Sequence, residues 1–337
     1  MAHTITFFDR EGLALADGSL TYSCSWDLNS VGQAQIEVPV NHTLAVREYL
    51  QHGNYVLIQD TDAGNWAGVL WTPRRWSKGV ISLTAFTVEW LLKWRESNTD
   101  EIEGFANGIF QTLTSQANVP QDTLIRYTGG DNAGVEWTQD TDNTDLLSVL
   151  VKIAGLTGQD WSIEPVYEFG RLSFEAAWHY QRGTVTGVLL EEGYNVFTSD
   201  TQTILTEQGD IVNDLTLQVY QDGALATVSV TDSTSQADYG VKQQTIRTPI
   251  PFGMTKESYA QVLIDQKKNP RKTIPLSARN IDNLYERLQL GNQFDLRLTS
   301  AGFNDEGGIG IDVTVRLLAK QYEGQGVMGL VVEEVIV

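Results

Sequence analysis

Asp140-Thr141-Asp142-Asn143-Thr144-Asp145 sets three carboxylates within six residues, a spacing that suits a hard cation such as calcium. The run lacks the glycine and the terminal glutamate of an EF-hand loop. Capping of the following helix by Asp142 or Thr144 accounts for the same residues. The histidines, at 3, 42, 52 and 179, are scattered and give no pair at metal spacing. No Gly-x-Ser-x-Gly elbow offers a nucleophile. Gly307-Gly308-Ile309-Gly310 is followed by strand-like alternation, which fits a hairpin and not a dinucleotide loop. Trp66, Trp71 and Trp76 could build a sugar-binding platform, although large aromatics on short strands more often fill a barrel wall or a subunit contact. Nothing among the 43 acids singles out a glycosidase pair. The residues therefore nominate no catalytic, cofactor-binding or metal site.

The elements that would have to hold these residues fall into three parts. Before residue 98 the chain alternates as strands: Thr4–Phe8, Ser19–Asn29, Gln33–Val40, Asn54–Asp60, Trp66–Thr72 and Gly79–Phe86. A short helix from Thr87 to Trp94 closes this set, and the whole predicts a small antiparallel barrel. In 98–190 the pattern changes. Asn98 and Glu101 resemble a capping pair ahead of an amphipathic stripe (Ile102, Phe105, Ala106, Ile109, Phe110, Leu113) that ends before Pro120. A second helix spans about Asp145 to Ala154, stopped by Gly155 and Gly158, and strands follow at Trp161–Pro165 and Arg171–Trp178. From Glu191 the chain reads as β again, broken by a helix from Thr255 to Lys268. The predicted fold is mainly β with an α+β insertion: a first β-barrel at 1–97, an α+β domain at 98–190, a discontinuous second barrel at 191–240 and 272–337, and a helical insertion at 241–271.

Leu50-Gln51-His52-Gly53-Asn54 and Leu288-Gln289-Leu290-Gly291-Asn292 read as copies, each ending an apolar run, turning on Gly-Asn and entering a strand. One copy falls in each β part. Gly53 and Gly291 are therefore expected at equivalent turns of two related barrels.

Composition narrows the function classes. No apolar run approaches the roughly 18 residues of a membrane span, and the N-terminus lacks a basic-then-apolar leader, so neither a membrane anchor nor classical export is expected. A single cysteine, Cys24, excludes an intramolecular disulfide framework and multi-cysteine metal sites, as for a chain made in the cytoplasm. The net charge of −20 is concentrated: residues 98–240 carry 4 basic against 22 acidic groups, and 191–240 have no lysine or arginine. Such a field repels phosphate backbones and argues against ordinary nucleic-acid binding. Basic residues cluster at Arg74, Arg75 and Lys78 and at Lys267, Lys268, Arg271 and Lys272.

In order, this layout resembles the tail-hub family of tailed bacteriophages, which includes baseplate hubs of contractile tails, tail-associated proteins of non-contractile tails and the hub half of type VI secretion spikes. The matching landmarks are Gln35-Ile36-Glu37-Val38-Pro39 (an early strand ending in proline), Gly53–Asp60 with Trp66-Ala67-Gly68-Val69 (a central hairpin) and Thr84 to Arg95 (a strand-to-helix step). Further on they are Asp145–Trp161 (leucine-rich helix, Gly turn, Trp strand), Tyr239-Gly240-Val241, the helix at 257–268, and Gly291–Leu298. The resemblance implies a non-enzymatic virion protein of the tail tip or baseplate without cofactors. It implies a homotrimer whose two barrels per chain make a ring of six. Such a hub adapts a six-fold tail tube or distal tail protein to a three-fold central fibre or spike, and meets the tape measure protein. DNA would pass its lumen during ejection without specific binding, and acids of 191–240 (Glu207, Asp210, Asp214, Asp222) would face that lumen. The chain stops at Val337 without the fibre, lysozyme or peptidase domains of longer members, so no activity carried by such extensions is expected. The alternative from the tryptophans and carboxylates is a carbohydrate-binding adhesin or glycan hydrolase of a phage tail tip.

Overall fold

The computed structural model describes residues 3–99, 101–119, 121–131, 136–141, 144–197, 206–208, 211–221, 224–247, 250, 255–269, 271–303, 309–322 and 327–335. The fold is mainly β, with large antiparallel sheets and a few short helices. Among the described residues no helix is long and apolar enough to cross a membrane.

Seven strands form the N-terminal part: β1 (His3–Phe8), β2 (Ala14–Gly18), β3 (Thr21–Asp27), β4 (Gln33–Pro39), β5 (Tyr55–Asp60), β6 (Gly64–Ser77) and β7 (Val80–Thr87). β4 shows why they form: Ala34, Ile36 and Val38 are buried while Gln33, Gln35, Glu37 and Pro39 are exposed, a strict period of two. The turn after β7 is a 3-10 helix, Val88–Trp94.

The insertion runs β8 (Glu101–Phe105), α1 (Ala106–Ala117), β9 (Ile125–Gly130), β10 (Glu136–Asp140), α2 (Leu146–Thr157), β11 (Asp160–Glu168) and β12 (Arg171–His179). The helix expected from Asn98 starts later, because Glu101–Phe105 is taken up as a strand paired with Glu136–Asp140. Asp145 caps α2, its side chain accepting from the Ser148 N–H, where Asp142 or Thr144 was expected to do so. Gly158 ends it in the left-handed region, at φ +65°.

The rest comprises β13 (Val185–Glu191), β14 (Thr206–Gln208), β15 (Asp214–Gln221), β16 (Ala224–Thr231), α3 (Ser233–Tyr239), β17 (Gln243–Arg247), α4 (Lys256–Asp265), β18 (Arg271–Arg279), α5 (Leu284–Arg287), β19 (Gln293–Phe303), β20 (Ile309–Tyr322) and β21 (Val327–Glu334). The reading of 191–240 as one stretch of the second β part needs correction. β15 and β16 form a separate three-stranded sheet with β17. The reason is packing: Leu215, Leu217 and Val219 alternate onto one face and are covered by Tyr259, Ala260 and Leu263 of α4, within the core of the insertions. Thr255 and Ser258 close a reciprocal capping box at the start of α4. The polar stretch 231–240 contains α3, capped by Asp232.

Strands of both β parts join one 13-stranded sheet in the order β14-β18-β21-β20-β3-β4-β7-β6-β5-β1-β2, with β19 on β20 and β13 on β19. One apolar core runs through both parts, from Ile5 and Ile36 to Phe294 and Val332.

Candidate assembly surface

The two Gly-Asn turns are built alike, bond for bond. Gly53 N–H donates to the Leu70 carbonyl at 2.9 Å, and Gly291 N–H to the Leu317 carbonyl at 2.8 Å. Leu70 and Leu317 in turn donate to the carbonyls of Asn54 (2.7 Å) and Asn292 (2.9 Å). The Asn54 amide donates to the Tyr49 carbonyl and also to that of Glu48, and the Asn292 amide donates to the Arg287 carbonyl, the counterpart of Tyr49. Both glycines are left-handed, at φ +86° and +83°, which explains why glycine stands at each.

Extending outward from these turns, the strand orders also agree. β3-β4-β7-β6-β5-β1 in the first half corresponds to β14-β18-β21-β20-β19-β13 in the second. Leu70 faces Ala85 and Leu317 faces Val332, so each position of β7 has its counterpart on β21. The copies differ in one pairing: β1 lies antiparallel to β5, whereas β13 lies parallel to β19. The short repeat legible in the sequence thus marks a duplication of six strands.

The halves meet where β20 pairs antiparallel with β3: Ala319 with Asp27, Lys320 with Trp26, Gln321 with Ser25, Tyr322 with Cys24. Inside this junction Tyr322 is 1% exposed, 6.0 Å in ring separation from Tyr22 and 6.5 Å from Tyr285. The Lys320 ammonium lies 4.5 Å from the Trp26 ring centre, and burial lowers its pKa to about 8. The open face of the junction is uncharged: Ser23, Ser25, Gln33, Gln35 and Gln321 line a shallow cleft of about 260 Å³.

Two nodes fix the insertion to the halves. Arg316 of β20 pairs with Asp160 of β11, and donates to the carbonyls of Gly291 and Arg182 at 3.2 Å each. Asp160, 2% exposed in its side chain, also accepts from the Asn29 amide at 2.9 Å and the Arg182 N–H at 2.7 Å. At the second node Glu89 lines a cavity of about 40 Å³ with Trp26, Asn65, Ile163 and Leu290. One of its carboxylate oxygens has no hydrogen-bond partner, and burial raises its pKa to about 7.

The residues singled out in the sequence do not converge. Trp66 is core, its Nε1 donating to the Ser25 carbonyl at 2.9 Å. Trp71 stacks on Trp94 at 5.4 Å and meets His52 at 4.3 Å. Trp76 is 63% exposed beside the Arg74 guanidinium. These are three separate environments, not one platform. In the acidic run, Asp142 and Asn143 lie outside the described residues, and Asp145 is engaged by Ser148 and Lys93. Among the described residues no three histidine, cysteine or acidic side chains gather as a metal site. Gly307 and Gly308, Asp210 and Asp222 also lie outside the described residues. His3, His42 and His179 each bond locally, to Leu20 and Ser19, to Leu44, and to Ser162. Lys268 pairs with Asp232 and Asp265.

This duplicated, edge-joined sheet with its insertions is similar in fold to solved phage tail proteins. The 43 kDa tail protein of prophage MuSo2 from Shewanella oneidensis matches 98% of this chain and 98% of its own, at TM-score 0.63 and 12% identity. Prophage tail protein gp18 from Listeria monocytogenes EGD-e matches 98% of this chain and 94% of its own, at TM-score 0.59 and 11% identity. The E. coli c3393 protein, a component of the type VI secretion system with structural similarity to the T4 tail proteins gp27 and gp5, matches 94% of this chain and 73% of its own, at TM-score 0.51 and 8% identity. No protein-family model and no curated protein sequence matches the chain.

Proposed function

We propose that this protein is a structural, non-enzymatic component of a phage tail: a trimeric hub at the distal end. It adapts a six-fold tail tube or distal tail protein to a three-fold fibre or spike, and bounds the channel through which the tape measure protein and DNA leave. The observation that carries this reading is the duplication. Two copies of one six-strand unit, joined in a single sheet, give each chain two similar faces, so three chains present six. The similar fold of two prophage tail proteins, matched over nearly their whole length, supports it. Within each chain, the part of the channel wall at the β20–β3 junction is in this reading the uncharged face of Ser23, Ser25, Gln33, Gln35 and Gln321. Lysines and arginines there would exchange counterions with passing phosphate, whereas hydroxyls and amides do not. Of the acids of 191–240 expected at the lumen, Asp214 stands on the separate sheet of β15 and Glu207 on β14 of the main sheet.

Native mass measurement and negative-stain microscopy of the purified chain, alone and with its tube protein, test the proposal. Rings of three chains with six lobes are expected. A chain that stays monomeric and binds no tube end would overturn it.

A further inference from the structure

The junction between the halves is a template that each chain uses once, and its second use is left open. Among the described residues, β6 beyond Leu70 has β7 on one side and no strand on the other, and β14 has only β18. Under the duplication these two edges are the counterparts of the pair that meets inside the chain. β6 corresponds to β20, and β14 corresponds to β3. We infer that β6 of one copy pairs antiparallel with β14 of a second copy, repeating the β20–β3 junction between chains. The inference rests on the hub reading and deepens it by naming the surface.

The register follows from pairings already given. Arg75 faces Ser82 on β7, and Gln321 faces Gly329 on β21, at corresponding positions. Trp76 faces Ile81, and Tyr322 faces Met328. On the outer strands Cys24 faces Ala34, and Thr206 faces Thr273, one position before Ile274, the counterpart of Ala34. Thr206 is therefore the counterpart of Ser25. Because Gln321 faces Ser25 within the chain, Arg75 faces Thr206 of the second copy, and Arg74 faces Glu207.

A second observation points the same way. Tyr322 is 1% exposed because β3 covers it, whereas its counterpart Trp76 is 63% exposed on the uncovered edge. A large aromatic in that state is the kind of residue that anchors an interface. Charge agrees at one position: Arg74 of β6 comes opposite Glu207, the acid of β14.

The test is a cysteine pair, Arg75→Cys with Thr206→Cys. Residues directly opposite in an antiparallel pair lie about 4.5–5.5 Å apart at Cα, within disulfide range. Each single variant and the offset pair Arg75→Cys with Gln208→Cys serve as controls. After oxidation, non-reducing electrophoresis of the double variant should show covalent dimers and trimers that the controls lack. Hydrogen exchange on the unmodified chain should show protection at 206–208 rising with protein concentration. Trimers by native mass without the cross-link and without that protection would overturn the edge pairing and leave the hub reading standing. Cross-linked ladders running past three would support the pairing and overturn the closed trimer. A chain monomeric at all concentrations, neither cross-linked nor protected, would overturn the pairing.

Discussion

Although the two Gly-Asn turns share their hydrogen bonds, alanine should affect them very unequally. Either substitution forces an L residue to a φ above +80°, which costs about 1–2 kcal/mol. At Gly53 the added Cβ would meet only the Arg10 side chain, its nearest atom Nε at 3.1 Å, and that side chain can swing away. At Gly291 the Cβ would fall 2.2 Å from the Arg182 carbonyl oxygen, which is backbone. Moving that backbone disturbs the hydrogen bonds that seat the entry to β13: Thr184 N–H to Asn292 Oδ1 at 2.9 Å, and Gln293 N–H to the Thr184 carbonyl at 2.9 Å. At about 1 kcal/mol for each bond, Gly291→Ala should cost about 3–4 kcal/mol against about 1–2 kcal/mol for Gly53→Ala. Equilibrium urea denaturation of the two variants, followed by tryptophan fluorescence, measures the difference. Equal losses would refute the reasoning, since they would mean that the close approach of Gly291 to Arg182 carries no weight.

The two nodes that fix the insertion give further predictions. Glu89 has its folded pKa raised from 4.5 to about 7, so the fold favours its protonated form. Its stability cost is absent below pH 4.5, grows as pH rises to 7, and reaches about 3 kcal/mol above that. Glu89→Gln should therefore raise the urea midpoint at pH 8 and leave it unchanged at pH 4.5; an equal gain at both values would sink the assignment. Arg316→Ala leaves Asp160 buried without its guanidinium and should cost about 3–5 kcal/mol. A loss below about 1 kcal/mol by the same denaturation assay would show that the Asn29 and Arg182 donors suffice to hold that carboxylate.

Much of the fold was legible because several strands of the main sheet bury one face, although β1 and β5 are buried on both. β4 and β21 alternate strictly, and the Gly-Asn turns are spelled out in four shared residues. The start of α1 was misplaced because a helical stripe and a strand compete for Glu101–Phe105, and the long-range partner Glu136–Asp140 decides between them. The departure of β15 and β16 was hidden for a related reason. Leu215, Leu217 and Val219 carry the same period whether a sheet or α4 covers them. The assembly surface left little local signal. Its evidence is a correspondence between β6 and β20 that appears only once the register is known. Arg74, Arg75 and Lys78 stood out by charge, but nothing in the sequence said what they face.

The chain also distributes its charge unevenly. The edge used within the chain is β20 against β3, and the edge proposed between copies is β6 against β14. The open face of the first is small, polar and uncharged, with Ser23, Ser25 and Gln321, whereas at the second the counterpart of Gln321 is Arg75. The insertions occur once per chain and share one core with a face of β1, β5 and β6 through Phe8, Tyr55, Leu57 and Val69. Residues 98–240, which hold most of the insertions, carry 22 of the 43 acids against 4 basic groups. Acidity placed there keeps an exposed unit soluble without putting like charges into a repeated strand edge, where directly opposed like charges destabilise pairing. The net charge is thus carried mainly by the stretch that holds the insertions.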